Sequence, residues 1–290
     1  MTDSTAAERN LIIRDIETIA EMRQVEQLQK EVWGIDDLDV VPVTHLVAAK
    51  AVNGILVGAF DGETMVGFAY GFVGYEEAEM VIHSHMLAVK PAYRNHNLGY
   101  KLKLAQRERA LALGISRMTW TYDPLQSLNA HFNFGKLGVV ADQYKINFYG
   151  EATSSFLHQL GTDRLWVSWL LSSQRVRQRL GGERKLEPPD ARLEEAGRLV
   201  RLGDNDWPQL SDPAKGEASP FILIEIPTSI GAIQQRDPGL AVAWREATRQ
   251  AFTEAMAAGY LVEDFYRLHR DGLSSGAYLL SLGRKLADFR

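Results

Sequence analysis

The 290-residue sequence contains no cysteine. Disulfides, thiolate metal sites and a cysteine nucleophile are therefore excluded. It also lacks any stretch approaching the roughly 18 uninterrupted apolar residues that would span a bilayer. Residues 1–10 are small and polar, without the apolar segment of a secretory signal. An excess of basic charge is missing too. With 32 Lys and Arg against 37 Asp and Glu, the net charge of −5 gives no overall pull toward nucleic acid or anionic lipid. These absences predict a cytoplasmic chain with neither a nucleic-acid nor a membrane partner. What is present, 46% hydrophobic and 24% charged residues, is the balance of a globular protein with a real core. The length suits one large domain or two smaller ones.

Hydrophobic periodicity predicts a strand over 11–14 and an amphipathic helix over 16–33, with Ile19, Met22, Val25 and Leu28 on one face. A second helix over 44–52 stops at Asn53-Gly54. Runs at 55–60 and 66–73 flank an Asp61-Gly62 turn and read as a hairpin. A third strand over 80–89 leads through Lys90-Pro91 into a loop and then a helix to about 113, carrying Leu98, Leu102, Ala105 and Ala112. A strand over 115–122 follows, then a short helix capped by Ser127 or Asn129 and ending at Gly138, then strands over 139–148 and 164–171. From 172 to 192 the chain turns rich in Arg and Glu, with Pro188-Pro189 inside, and reads as a solvated helix followed by a linker. A polar loop over 203–220 separates strands at 199–202 and 221–226. A helix over 239–258 and strands at 260–268 and 277–282 complete the pattern.

The segment from His83 to Lys101 holds the candidate chemistry. A loop ending at a helix start offers free backbone N–H groups and the positive end of the helix dipole, an arrangement that binds phosphate. Arg94 and Lys101 add charge there, and Gly99 lets backbone come close. His83 and His85, two apart on a strand, share a face with Leu87 and Val89 by simple alternation. Neutral imidazole suits removal of a proton from an amine. The same pair is also compatible with plain hydrogen bonding in a sheet. No third metal ligand accompanies it, so no metal is expected.

The order of elements resembles the GNAT acetyltransferase superfamily. Val89-Lys90-Pro91 matches the family's entry phrase, and Arg94 and Gly99 match the first and last positions of its Arg/Gln-x-x-Gly-x-Gly/Ala loop. Asn97 replaces the middle glycine, and asparagine is the residue that best tolerates positive φ otherwise. Asn129-Ala130 and Lys136-Leu137-Gly138 match a second landmark. The resemblance covers residues 11–171. It implies an α/β (α+β) fold with a splayed mixed sheet flanked by helices over 1–171, and a smaller C-terminal α/β extension over 172–290.

The resemblance further implies acyl-CoA as co-substrate. Backbone near Leu87 and Val89 would pair with the pantetheine arm, backbone N–H groups from Asn95 to Gly99 would hold the pyrophosphate, and CoA would bind across Arg94, Asn95, His96, Asn97, Leu98, Gly99, Tyr100 and Lys101. Asn129 would contact pantetheine or order the second helix. Many members carry a tyrosine acid where Phe134 stands; here that residue reads as core, and Tyr144 and Tyr149 are the alternative acids. The run His-x-His-x-Leu-Ala-Val also resembles the aralkylamine N-acetyltransferases, whose paired histidines serve as bases; His85 is the first choice, His83 the second. Arg245 and Arg249, one turn apart, either hold a carboxylate or form a solvated, salt-bridged face. Glu225 either reads an ammonium or pairs with an arginine. Ile224 to Pro227, Ala243 to Arg245, Arg249 to Phe252 and Gly259-Tyr260 resemble a bacterial GNAT subfamily with a C-terminal extension, some of it associated with N-acyl amino-acid racemases. That association implies an amino-acid amine as acceptor and acetyl-CoA or succinyl-CoA as donor. The extension is then either a lobe over the acceptor pocket or a homodimerisation element. An acyl-CoA-binding module without catalysis is the competing reading, and transfer to a protein amine a third.

Overall fold

The computed structural model describes residues 11–150, 160–182, 191–211, 219–270 and 272–290. The N-terminal ten residues, the Pro188-Pro189 linker and the centre of the 203–220 loop lie outside the described residues. Contacts between Cα atoms divide the chain into two compact units. The first reaches Met118; the second starts at Thr119. The motif-based boundary at 171/172 is a different division, because it marks where family motifs stop and not where packing changes.

In the first unit, β1 (Leu11–Asp15) leads to α1 (Ile19–Trp33) and α2 (Val43–Ala51). Strands β2 (Ile55–Asp61), β3 (Thr64–Glu76) and β4 (Glu79–Val89) follow, then α3 (Leu98–Ala112). The four strands pair antiparallel in the order β1-β2-β3-β4. A capping box starts α1: Thr18 accepts from the Glu21 backbone, and the Glu21 carboxylate takes the Thr18 N–H. Gly34 ends that helix in the left-handed region. Its inner face, Met22, Val25 and Leu28, packs with Leu46, Phe60, Phe68, Tyr70 and Met86 into one core. Each such side chain contributes about 1.5–3 kcal/mol of burial. Ile19, expected on that face, is exposed, and on α3 Ala110 replaces Ala112 inside.

In the second unit, β5 (Arg117–Tyr122, from Thr119 on) precedes α4 (Ser127–Ala130) and a π-helical turn (His131–Leu137). Strands β6 (Val140–Lys145) and β7 (Arg164–Leu170), helices α5 (Gln174–Leu180) and α6 (Ala191–Glu195), and strands β8 (Gly197–Leu202), β9 (Pro208–Leu210) and β10 (Phe221–Pro227) come next. The chain ends through α7 (Ile230–Arg236), α8 (Pro238–Ala257), β11 (Tyr260–Arg270) and β12 (Leu273–Leu282). The strand order is β5-β7-β6-β11-β12-β10-β8-β9, with β10 parallel to β8 and antiparallel to β12. The architecture is thus mixed α/β, as expected. Helix α8 buries Leu240, Trp244, Thr248, Ala251, Phe252 and Ala255, a stripe with helical spacing.

Several local expectations need correction. Neither Ser127 nor Asn129 caps α4: Gln126 occupies the cap position and forms no side-chain cap bond. The strand expected over 139–148 closes at Lys145, because the chain turns over 146–149. Helix α7 and the short strand β9 carry too little apolar periodicity to be read in advance. Arg245 is not on a solvated face. It is buried, donating to Asp123 at 2.7 Å and to the Leu160 carbonyl at 3.0 Å. Arg249 grips Asp163 with two bonds, at 2.8 and 2.9 Å. Glu225 pairs with Arg198 at 2.6 Å and Arg270 at 3.3 Å, and accepts from the Leu202 N–H. Of its two sequence readings, pairing with arginine is the one observed.

Candidate active site

The loop after β4 is held at both ends. Lys90 N–H donates to the Val66 carbonyl at 2.9 Å, and the Tyr93 hydroxyl donates to Asp61 at 2.8 Å. Residues 91–96 form a 3₁₀ turn, and Asn97 adopts φ 56°, ψ 22°. The asparagine therefore stands in the left-handed region that its replacement of glycine foretold. The first intrahelical bond of α3 runs from Lys101 N–H to the Asn97 carbonyl, so the N–H groups of Leu98, Gly99 and Tyr100 precede the helical ladder. Arg94, His96, Asn97 and Lys101 are exposed around this turn, and Leu98 is buried beneath it. The Arg94 Nε–H leans back to the Val89 carbonyl at 3.4 Å. A Cβ on Gly99 would meet nothing nearer than Leu87 Cδ2, at 3.6 Å. Space above that backbone is open.

The strand leading into the loop departs from simple alternation. Tyr70 faces Met86 across the β3–β4 pair, but Phe72 faces His83, so Gly71 stands opposite both Ser84 and His85. This is a β-bulge, and it reverses the expected arrangement of faces. Leu87 lies against Gly99, and Val89 beside Gly67 and Leu102, on the α3 side. Ser84 points to the same side, bonded to Lys103 and Gln106 of α3. His83 and His85 lie instead among Phe72 and Tyr70. His83 is 5.3 Å from the Phe72 ring; His85 is 5.8 Å from Phe72 and 6.2 Å from Tyr70. The two imidazoles are thus separated from Leu87 and Val89 by the thickness of the sheet.

Burial pushes the His83 pKa down to about 4, helped by His85 and by the positive charge of Lys103. His85 is exposed to solvent, yet partial desolvation against its neighbours and nearby His45 lower its pKa as well. Both are neutral at pH 7 and able to accept a proton. His45 on α2 is exposed and shares a 2.7 Å hydrogen bond with the buried Tyr70 hydroxyl, whose pKa burial raises to about 12. On the other face, burial pulls the Lys103 ammonium down to about 7.

The remaining site candidates belong to the second unit. Asn129 is exposed on α4. The Tyr144 hydroxyl donates to Asp163 at 2.7 Å while its ring stacks on Phe252, and burial with the Asp163 charge raises its pKa. Tyr149 is open to solvent on one edge, its hydroxyl 3.2 Å from Thr121 Oγ1 and its ring 5.2 Å beneath the Arg164 guanidinium. Phe134 is wholly buried in the π-helical turn. Among the described residues no group of three or more His, Asp or Glu is arranged to hold a metal ion, and no helix is long and apolar enough to cross a membrane.

Four residues of the first unit escaped the sequence reading: His45, Tyr70, Gly71 and Lys103. Gly71 carried a usable signal, since an isolated glycine within a strand marks a bulge or a close backbone approach. The others carried none. A histidine on a short helix, a tyrosine in an apolar strand and a lysine on an amphipathic helix all read as ordinary.

Residues 19–138 match the model of the Acetyltransferase (GNAT) family. No curated protein matches the chain. Solved structures that are similar include the ribosomal-protein-S18-alanine N-acetyltransferase of Escherichia coli, at 14% identity and TM-score 0.43, covering 56% of this chain and 94% of that one. An acetyltransferase of the GNAT family from Streptococcus pneumoniae is similar at 17% identity and TM-score 0.44, over 55% of this chain and 98% of that one. An aminoglycoside 6'-N-acetyltransferase complexed with coenzyme A is similar at 15% identity and TM-score 0.41, over 55% and 97%. On the family match and the motifs it contains, residues 19–138 of this chain are a domain of the acetyltransferase (GNAT) family.

Proposed function

We propose that the chain is an acyl-CoA-dependent N-acyltransferase that moves an acetyl or succinyl group to the amine of a small molecule, an amino acid first among them. The observation that carries the reading is the turn at Asn97, which presents the free N–H groups of Leu98, Gly99 and Tyr100 at the start of α3, directly after a strand bearing two neutral histidines. In this reading the pyrophosphate of acyl-CoA sits at residues 94–101 and its pantetheine arm runs along Leu87 and Val89. The acyltransferase domain is residues 1–171, with 172–290 as its extension. The enzyme works in the cytoplasm, and a homodimer is part of the proposal.

The transfer needs no covalent enzyme intermediate. The amine nitrogen attacks the thioester carbonyl, the C–N bond forms and the C–S bond breaks. The amine's proton passes to His85, or to His83, directly or through water. CoA thiolate is a good leaving group and takes a proton from solvent, with no tyrosine required as its acid. Tyr144 serves less well as that acid, because its hydroxyl is donated to Asp163 and its pKa lies far above neutral. Transfer from the histidine face of the strand also fits an acceptor arriving on the side opposite Leu87 and Val89.

The test follows free thiol release from acetyl-CoA and succinyl-CoA across amino acids of both hands, simple amines and peptides. Release that depends on one class of small amine supports the proposal. Tight acyl-CoA binding without turnover across the whole panel replaces it with a binding module, and turnover on peptides alone assigns a protein amine.

A further inference from the structure

Two imidazoles at positions i and i+2 of a strand stand on one face by default, and the next alternate residues, Leu87 and Val89, should share it. Here they do not, because one extra residue is inserted at Ser84–His85. That insertion decides what the histidines face. Without it, and with Met86 to Val89 kept in register, Ser84 turns to the Tyr70–Phe72 face and both His83 and His85 move to the α3 side with Leu87.

A bulge interrupts ladder bonding and needs something to hold it in place. Two features do so. Gly71 lies under the extra residue, where a Cβ would meet Ile82 Cγ2 at 2.9 Å, the His83 carbonyl oxygen at 3.0 Å and Ser84 Cα at 3.3 Å. Only a residue without a side chain lets the bulged backbone settle there. On the opposite face Ser84 is tied to α3. Lys103 Nζ donates to Ser84 Oγ at 2.7 Å, and Ser84 Oγ donates to Gln106 Oε1 at 2.8 Å. All three side chains are buried. An ammonium enclosed in this way is costly, so it is retained where it performs a task that an apolar side chain would not.

We infer that Ser84, Lys103 and Gln106 are positioning residues: they clamp the β4 bulge to α3 and thereby hold His85 on the Tyr70–Phe72 face, where it can serve as the base. The inference rests on the proposed transfer only for the meaning of that position. The clamp itself can be read without any substrate. The ionisable groups that act on the two imidazoles are Tyr70 from β3 and His45 from α2 on their own face, Lys103 of α3 from across the sheet, and each other. Release of the clamp takes His85 away from the rings that desolvate it, so its pKa climbs toward the ordinary value near 6.5.

The experiment is a histidine-detected NMR titration of the full chain, run on the parent, Ser84→Ala, Lys103→Met and Ser84→Thr, with thermal melts to establish folding. His85 should titrate below the ordinary value in the parent and move upward in Ser84→Ala, while Ser84→Thr, which keeps the hydroxyl, stays close to the parent. Lys103→Met serves where Ser84→Ala does not fold. It should also raise the His83 value from about 4, because the charge that opposes protonation has gone. In the transfer assay kcat should fall by about tenfold or more, part of the 10²–10⁴ a positioned base supplies, with KM for acyl-CoA unchanged. Parent-like His85 titration in folded Ser84→Ala and Lys103→Met overturns the clamp, whatever the enzyme does. An upward shift with undiminished kcat leaves the clamp standing and removes His85 from catalysis.

Discussion

Phe134 meets Tyr278 edge-on, with ring centroids 5.8 Å apart and an interplanar angle of 86°, both rings wholly buried in the second unit. The Tyr278 hydroxyl in turn donates to the Pro124 carbonyl at 2.6 Å and lies 3.0 Å from the Tyr122 hydroxyl. Phe134 is therefore packing for a buried aromatic group. Phe134→Ala should cost about 3–5 kcal/mol, the usual loss for a buried ring replaced by a methyl. Denaturant unfolding reads this directly, and an unchanged midpoint would contradict the assignment.

His85→Gln keeps a polar side chain but removes a useful base. The transfer rate should drop by about 10²–10⁴-fold while acyl-CoA affinity barely moves. The acid limb of the rate profile, set below the ordinary histidine value in the parent, should vanish or shift. A double glutamine variant, His83→Gln with His85→Gln, that retains both the rate and the limb would make the two histidines structural.

Gly99→Val probes the loop. The first added carbon meets only Leu87 Cδ2 at 3.6 Å, and valine is no worse a helix former than glycine, so the fold should survive. The branched side chain nonetheless fills the open space over the free N–H groups. Affinity for CoA should weaken by about tenfold or more, corresponding to roughly 1.4 kcal/mol. Calorimetry on a folded variant with unchanged affinity would place the pyrophosphate elsewhere.

Lys103 gives stability a distinctive pH dependence. Its folded pKa, about 7, lies below its unfolded value of 10.5. Between those limits the unfolded chain binds more protons, so this group makes stability rise with pH from about 7 to 10.5, and below 7 its cost is fully present. The rise amounts to on the order of 5 kcal/mol at most. Lys103→Met should flatten that slope and raise the melting temperature at pH 7. An unchanged slope in the variant would show that the ammonium is better solvated than its burial indicates.

Much of the first unit could be read from the sequence because the signals were local. The spacing of Met22, Val25 and Leu28 announces α1, although its capping box at Thr18 and Glu21 emerges only in the structure; Asp61-Gly62 announces the hairpin, and Asn97 announces a left-handed turn before α3. The arrangement of the histidines could not be read, since alternation at 83, 85, 87 and 89 looks unbroken and only pairing with β3 reveals the inserted residue. Lys103 was equally hidden: its burial follows from facing Ser84, not from its place on the helix. In the second unit Arg245 and Arg249 pair with carboxylates of the chain itself, and those partners are far away in sequence. Asp123 lies more than a hundred residues before Arg245, and no local pattern connects them.

The division at Met118/Thr119 bears on the order in which this protein is made. Val140 and Leu170 are sealed by Leu261 and Phe289, and β6 bonds to β11 where Ala141 meets Val262. A ribosome delivers β6 and β7 first and adds Leu261 and Phe289 about 90 to 120 positions after Leu170, on the order of ten seconds later at 5–20 residues per second. Throughout that interval β6 has an unpaired edge and Val140 and Leu170 have no apolar cover. The first unit can close while synthesis continues; the second must wait for nearly the whole chain, and it is during this wait that a chaperone would be needed.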